Sequence, residues 1–209
     1  MIDPTLQRTP VFDGLLRGIH AWNAFAILGL IASGLTADEY EHSAEAAALW
    51  RLHIQFGYAL IGGMSARLVW GLLGPSSARW SDMWQPHAWL ATLRALPRLQ
   101  LPAPRRGHDT LASAVFVALY LVLAGMAATG LALAAIEHNM GPLTAWLGDS
   151  VWLKDYFEEP HEAMYGLVAG FVGLHLVALV WHQFFGKAPV AQAMVTGHQY
   201  LPKEGDRNA

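Results

Sequence analysis

The sequence contains no cysteine. Disulfides, thiolate zinc sites, iron–sulfur clusters and c-type haem attachment are therefore excluded for this chain. Charge is scarce as well: 14% of residues are Asp, Glu, Lys or Arg, against about 25% in ordinary soluble domains. The net charge of −3 offers no basis for a nucleic-acid partner. Residues 1–12 lack the apolar core of a cleaved leader, holding Asp3, Pro4, Arg8 and Pro10 instead. The first apolar run is too long for a signal peptide and has no clear cleavage site, so it is expected to be retained as a membrane span. No internal repeat and no low-complexity tract is evident. What is abundant is apolar surface, 54% of the chain, together with nine Trp and ten His among 209 residues.

Four apolar runs reach the roughly 20 residues needed to cross a hydrocarbon core of about 30 Å. They cover about 17–37, 49–73, 110–136 and 161–186. The expected fold is all-α, a four-helix transmembrane bundle forming one integral-membrane domain over 1–209. The second run contains Arg51, His53 and Arg67, and the fourth contains Glu162, His175 and His182. Polar groups at membrane depth are costly, which makes them functional candidates.

The connecting segments sort by charge. Asp38, Glu39, Glu41 and Glu45 follow the first run, and Glu137, Asp149, Lys154, Asp155, Glu158 and Glu159 follow the third. Of the 13 Lys and Arg, all but Arg51 and Lys154 fall on the other side: Arg8, Arg17, Arg67, Arg79, Arg94, Arg98, Arg105, Arg106, Lys187, Lys203 and Arg207. The positive-inside rule puts that side, with both termini, in the cytoplasm and the acidic loops in the periplasm. The expected location is a bacterial inner membrane, with lipid as the immediate surroundings. Within the middle loop, His87 to Leu96 carries Trp89, Leu93 and Leu96 at helical spacing after Pro86. This predicts a short amphipathic helix at the interface between the second and third spans, ended by Pro97, Pro102 and Pro104. The segment Pro142 to Leu153, with Trp146 and Trp152, reads as a similar surface element on the periplasmic face.

Threading the spans gives each histidine a depth. His53 and His161 share the periplasmic level, and His20 and His175 share the cytoplasmic level. His161 and His175 are 14 residues apart, about 21 Å and close to four whole turns, so they present one helix face. Two imidazoles from different helices at one depth are what haem iron with bis-histidine ligation requires. Residue 14 after His20 is Gly34, and residue 14 after His53 is Arg67. Gly34 either clears space for a flat macrocycle or permits close helix packing. Arg67 is either a propionate partner or a cation snorkelling to the surface. His182 is the alternative to His175. His42, His87, His138 and His198 fall in loops or interfacial segments and are expected to be solvated. His108 is a cap, an interfacial residue or a quinone contact. The third span contributes no ligand.

These motifs resemble the bacterial cytochrome b561 superfamily, particularly the b-type cytochrome subunits of nickel–iron hydrogenases, formate dehydrogenases and thiosulfate reductases. The resemblance covers nearly the whole chain. It rests on Arg17-Gly-Ile-His20-Ala-Trp22; on His53 with Arg67 and Trp70; on Gly107-His108-Asp109 and Thr129-Gly130 flanking the third span; on His161-Glu162 followed by His175; and on Ala193-Met194-Val195-Thr196-Gly197. It implies two b haems, ligated by His20 with His175 and by His53 with His161. It also implies a quinone site near the cytoplasmic haem and a redox partner at the periplasmic face. The first periplasmic loop, Asp38 to Ala48, is short for a hydrogenase subunit, which allows a smaller partner such as a c-type cytochrome. The function so implied is an electron-transfer subunit of a respiratory oxidoreductase. A stand-alone quinone-reducing oxidoreductase for a small donor such as superoxide, and a non-redox membrane protein, are the alternatives. A homo-oligomer is compatible with each of these.

Overall fold

A computed structural model describes residues 6–40, 42–95, 110–185 and 192–202. Four long helices dominate it: α1 (Gly14–Glu39), α2 (Ala46–Leu73), α5 (Thr110–His138) and α7 (Lys154–Phe185). They hold 26, 28, 29 and 32 residues, about 39 to 48 Å at 1.5 Å per residue, more than a hydrocarbon core demands. Each is apolar enough to cross a membrane. Large apolar side chains stand exposed along them, including Phe25, Leu121, Leu174 and Phe184. Lipid is the solvent that tolerates such faces. The short elements are α3 (Trp80–Met83), α4 (Pro86–Ala95), α6 (Thr144–Leu147), α8 (Gln192–Thr196) and two strands, β1 (Leu6–Pro10) and β2 (His198–Pro202). The described residues are all-α apart from those strands, as predicted, and α4 matches the predicted interfacial helix within a residue at each end.

The chain divides into two compact units, and every long helix contributes to both. The first comprises residues 1–20, 66–118 and 173–209. Here β1 pairs antiparallel with β2, from Leu6 opposite Pro202 to Pro10 opposite His198. The Val11 and Phe12 N–H groups continue the tie to the Gly197 carbonyl. Asp13 caps α1, accepting the Leu16 N–H at 2.9 Å, and its carboxylate also accepts the Trp70 indole N–H at 3.2 Å. One acidic side chain thus starts a helix and ties it to α2. The strand pairing is not predicted by the sequence. Its partners are five-residue segments separated by almost the whole chain, and neither shows the alternation that marks a strand. α4 docks through the Trp89 indole N–H, donated to Ser113 Oγ at 3.0 Å.

The second unit comprises residues 21–65 and 119–172. Its core is Ala26, Leu60, Met64, Leu123 and Val168, which draws on all four long helices. The Trp22 indole donates to the Ala59 carbonyl at 2.8 Å and ties α1 to α2. Asn139, with φ 51°, ends α5 in the left-handed conformation that Asn tolerates. α7 begins seven residues earlier than the predicted start at His161, and Pro160 lies inside it. The first turn is supported by Lys154, which reaches Glu137 at 3.3 Å and Glu158 at 3.4 Å. These contacts offset part of the backbone hydrogen bond that proline removes.

Candidate functional site

In the second unit a cavity of about 480 Å³ falls within the ~300–1,000 Å³ range of cofactor and ligand pockets. His53 from α2 and His161 from α7 both line it, beside Gly34, Gly130, Leu30 and Met126. The two imidazoles are near enough for their charges to interact. The structure therefore brings together the pair that sequence depth matches. Asp38, Glu137, Glu158 and Glu162 also line the cavity, which makes its polar lining acidic.

Each ring is held from behind. His53 Nδ1 lies 3.1 Å from the Leu30 carbonyl oxygen and 3.3 Å from Ser33 Oγ. A carbonyl has no proton to give, so Nδ1 carries the hydrogen and Nε2 keeps its lone pair. His161 Nδ1 lies 2.9 Å from Thr129 Oγ1, and the Met126 carbonyl also bonds this ring. The hydroxyls are themselves engaged as donors, Ser33 to Gly29 O at 2.6 Å and Thr129 to Gly125 O at 3.0 Å. Their lone pairs are thus what face the imidazoles. Both rings end with Nδ1 occupied and Nε2 available, the state in which histidine binds a metal.

Gly34 touches this arrangement directly. A Cβ added there would lie 3.2 Å from Cε1 and Nδ1 of His53. Its missing side chain makes room for a ligand ring as well as for the cavity. Gly130 does the same for His161, with an added Cβ at 3.2 Å from Cε1. In the sequence Thr129 and Gly130 stand out only as a motif closing the third span. That span supplies no imidazole to the pair, but it supplies the hydroxyl that holds one. Trp50 packs edge-on against His53 at 5.7 Å between ring centroids. It also packs on His138 at 5.6 Å, which takes that histidine out of the solvated group.

The first unit contains the other predicted pair. His20 and His175 are close enough for their charges to interact, and both are exposed in the chain alone. Arg67 does not snorkel: it is 2% exposed, with its guanidinium over Trp80 at 4.9 Å and Phe116 at 5.7 Å and Nη2 at 3.6 Å from Met83 Sδ. The aromatic faces stabilise the cation, and the planar guanidinium suits them better than an ammonium would. His182 lies on α7. Arg98, Arg105, Arg106, His108, Lys187, Lys203, Arg207 and Glu41 are outside the described residues, as is the proline run from Pro97 to Pro104.

The donor set and the space suit a b-type haem. Two imidazoles from different helices, each engaged at Nδ1, line one mostly apolar cavity, and two glycines keep side chains off their rings. Comparison with known proteins agrees. The family model for prokaryotic cytochrome b561 matches residues 11–197, a range that spans all four long helices and both histidine pairs. No match was found among curated proteins or among solved structures. With the match covering nearly the whole sequence, the chain belongs to the prokaryotic cytochrome b561 family, whose members are membrane-embedded b-type cytochromes of electron transfer.

Proposed function

We propose that the protein is a dihaem cytochrome that moves electrons across a bacterial inner membrane, between the quinone pool and a periplasmic redox partner. His53 and His161 hold one haem, and His20 and His175 hold the other. The observation that carries this reading is the shared cavity of His53 and His161, with both Nδ1 atoms engaged and both Nε2 atoms available. A b-type haem, when bound, supplies a one-electron iron couple. The chain's part is to bind, orient and insulate it. Leu30 O, Ser33, Thr129 and Met126 O fix the ring orientations, while Leu60 and Leu123 keep the cavity wall apolar. α7 carries one ligand of each pair, His161 and His175, so a single helix serves both sites.

The distribution of charge supports the direction of insertion. The unit holding His20 and His175 contains eleven of the 13 Lys and Arg and six of the 16 acidic residues, a surplus of five positive charges. The unit holding His53 and His161 has the other two cations and ten acids, a surplus of eight negative. The positive-inside rule puts the first at the cytoplasmic face with both termini, and the second at the periplasmic face. An acidic periplasmic face suits a basic electron-carrier protein and disfavours a small anionic donor such as superoxide. Quinone then reacts near His20 and His175.

The test is the reduced-minus-oxidised spectrum and the haem-to-protein ratio of the purified protein. Two b haems are expected, with one lost in His53→Ala and in His161→Ala. A protein without b-type absorption, or His53→Ala and His161→Ala variants that both retain two haems, overturns the reading.

A further inference from the structure

The two ligand-holding arrangements are copies of one device. In α1 the sequence Gly29-Leu30-Ile31-Ala32-Ser33-Gly34 backs His53; in α5 the sequence Gly125-Met126-Ala127-Ala128-Thr129-Gly130 backs His161. Position by position the parts recur. The first glycine's carbonyl accepts the hydroxyl proton. The second residue's carbonyl bonds the ring, Leu30 O to Nδ1 of His53 and Met126 O to the His161 imidazole. The hydroxyl oxygen also faces Nδ1. The last glycine lies under ring Cε1, at 3.2 Å from an added Cβ in both copies. Even the packing behind the first glycine is repeated: a Cβ there would collide with Phe56 in one copy and with Met164 Sδ in the other, each three residues after its histidine. The offset is 96 residues between the cradles and 108 between the histidines. A repeat of six residues at two unequal offsets escapes a scan for sequence periodicity, which is why none is evident.

Chance helix packing accounts poorly for this match. Small residues at helix crossings are common in membranes, but a shared hydrogen-bond scheme on a shared ring atom is a more specific coincidence. The same offsets carried along the helices pair His20 with Phe116 and His175 with Arg67. In the structure Arg67 lies over the Phe116 ring. The position equivalent to the second histidine pair is therefore filled by a cation on an aromatic ring. This gives a reason why the third long helix offers no histidine at that position.

Resting on the ligand assignment above, we propose that Ser33 and Thr129 are paired positioning residues for a single haem, each acting through its histidine to set ring orientation and the haem's reduction potential. A hydrogen-bond acceptor at Nδ1–H makes an imidazole a stronger donor to iron and favours the oxidised state. Removing an acceptor shifts the potential in the positive direction. Because His53 and His161 share one iron in this reading, changes at residues on two different helices must move the same haem and leave the other alone.

The experiment is potentiometric titration with low-temperature EPR of the holoprotein carrying Thr129→Val, Thr129→Ser or Ser33→Ala. The haem missing from His161→Ala identifies the affected centre. Thr129→Val and Ser33→Ala are expected to shift that one haem positively and to alter its ferric low-spin g values, with Thr129→Ser restoring both. Loss of that haem in Thr129→Val supports the proposal if Thr129→Ser regains it, and counts against it if Thr129→Ser does not. Unchanged potentials and g values in both Thr129→Val and Ser33→Ala, or shifts in two different haems, overturn it. Failure of the ligand assignment itself has a separate signature, two haems retained in both His53→Ala and His161→Ala.

Discussion

The two units set their histidine pairs in different surroundings. In the acidic unit the chain alone builds a cavity lined by all four long helices, half-buries His53 and His161 and engages both Nδ1 atoms. In the basic unit His20 and His175 stand exposed in the chain alone, and the specific contacts lie elsewhere, in Arg67 over Trp80 and Phe116 and in the paired strands. Charge follows the same division, with a surplus of eight negative charges in one unit and of five positive in the other.

The contrast is broken most severely by removing a ligand. His53→Ala should reduce the haem-to-protein ratio from two to one, and His20→Ala should do the same by removing the other haem. Distinct remaining spectra in the two variants sharpen the division, and identical spectra break it. Next in size is Arg67→Ala, which deletes a desolvated cation from two aromatic faces and should cost about 2 kcal/mol. The readout is a lower thermal midpoint of the detergent-solubilised protein, with Arg67→Lys recovering only part. Gly130→Ala pushes a Cβ to 3.2 Å from the His161 ring and should cost about 1 kcal/mol through an off-rotamer side chain. It should perturb the EPR of the acidic unit's haem alone, and a matching change from Gly34→Ala is expected. Asp13→Ala removes the α1 cap and the Trp70 acceptor in the basic unit, also about 1 kcal/mol, with both haem spectra intact. The smallest effect on stability belongs to Lys154→Met. The exposed contacts to Glu137 and Glu158 contribute about 0.5 kcal/mol. Removing that cation should nonetheless speed reduction by a cationic donor at low salt, measured by stopped flow, because the acidic face is then less compensated.

Much of this architecture is legible in the amino-acid sequence. Spans predicted at 17–37, 49–73 and 110–136 are helices 14–39, 46–73 and 110–138, because a run of apolar residues long enough for a bilayer leaves the backbone no alternative to a helix. The matched depths of His53 and His161 are legible for the same reason, since helical rise converts residue count into height. The departures have equally physical origins. Apolar length alone starts the fourth span at His161, just after Pro160, yet Lys154, Glu137 and Glu158 support a helix ahead of that proline. Sequence position alone makes Arg67 either a propionate partner or a snorkelling cation. Its burial depends on Trp80 and Phe116, one beyond the end of its helix and the other on a different helix.

By itself the sequence determined the class of protein, the number of spans, the segregation of charge and the pairing of His53 with His161. All of these follow from hydropathy, helical rise and the cost of charge in lipid, which are one-dimensional properties of the chain. Only the tertiary structure decided what stands behind each ligand. Gly34, Ser33, Thr129 and Gly130 are ordinary small residues along a helix, and they acquire meaning from the imidazole that a neighbouring helix lays against them. Such a contact depends on helix rotation and crossing, and hydropathy contains no information about either.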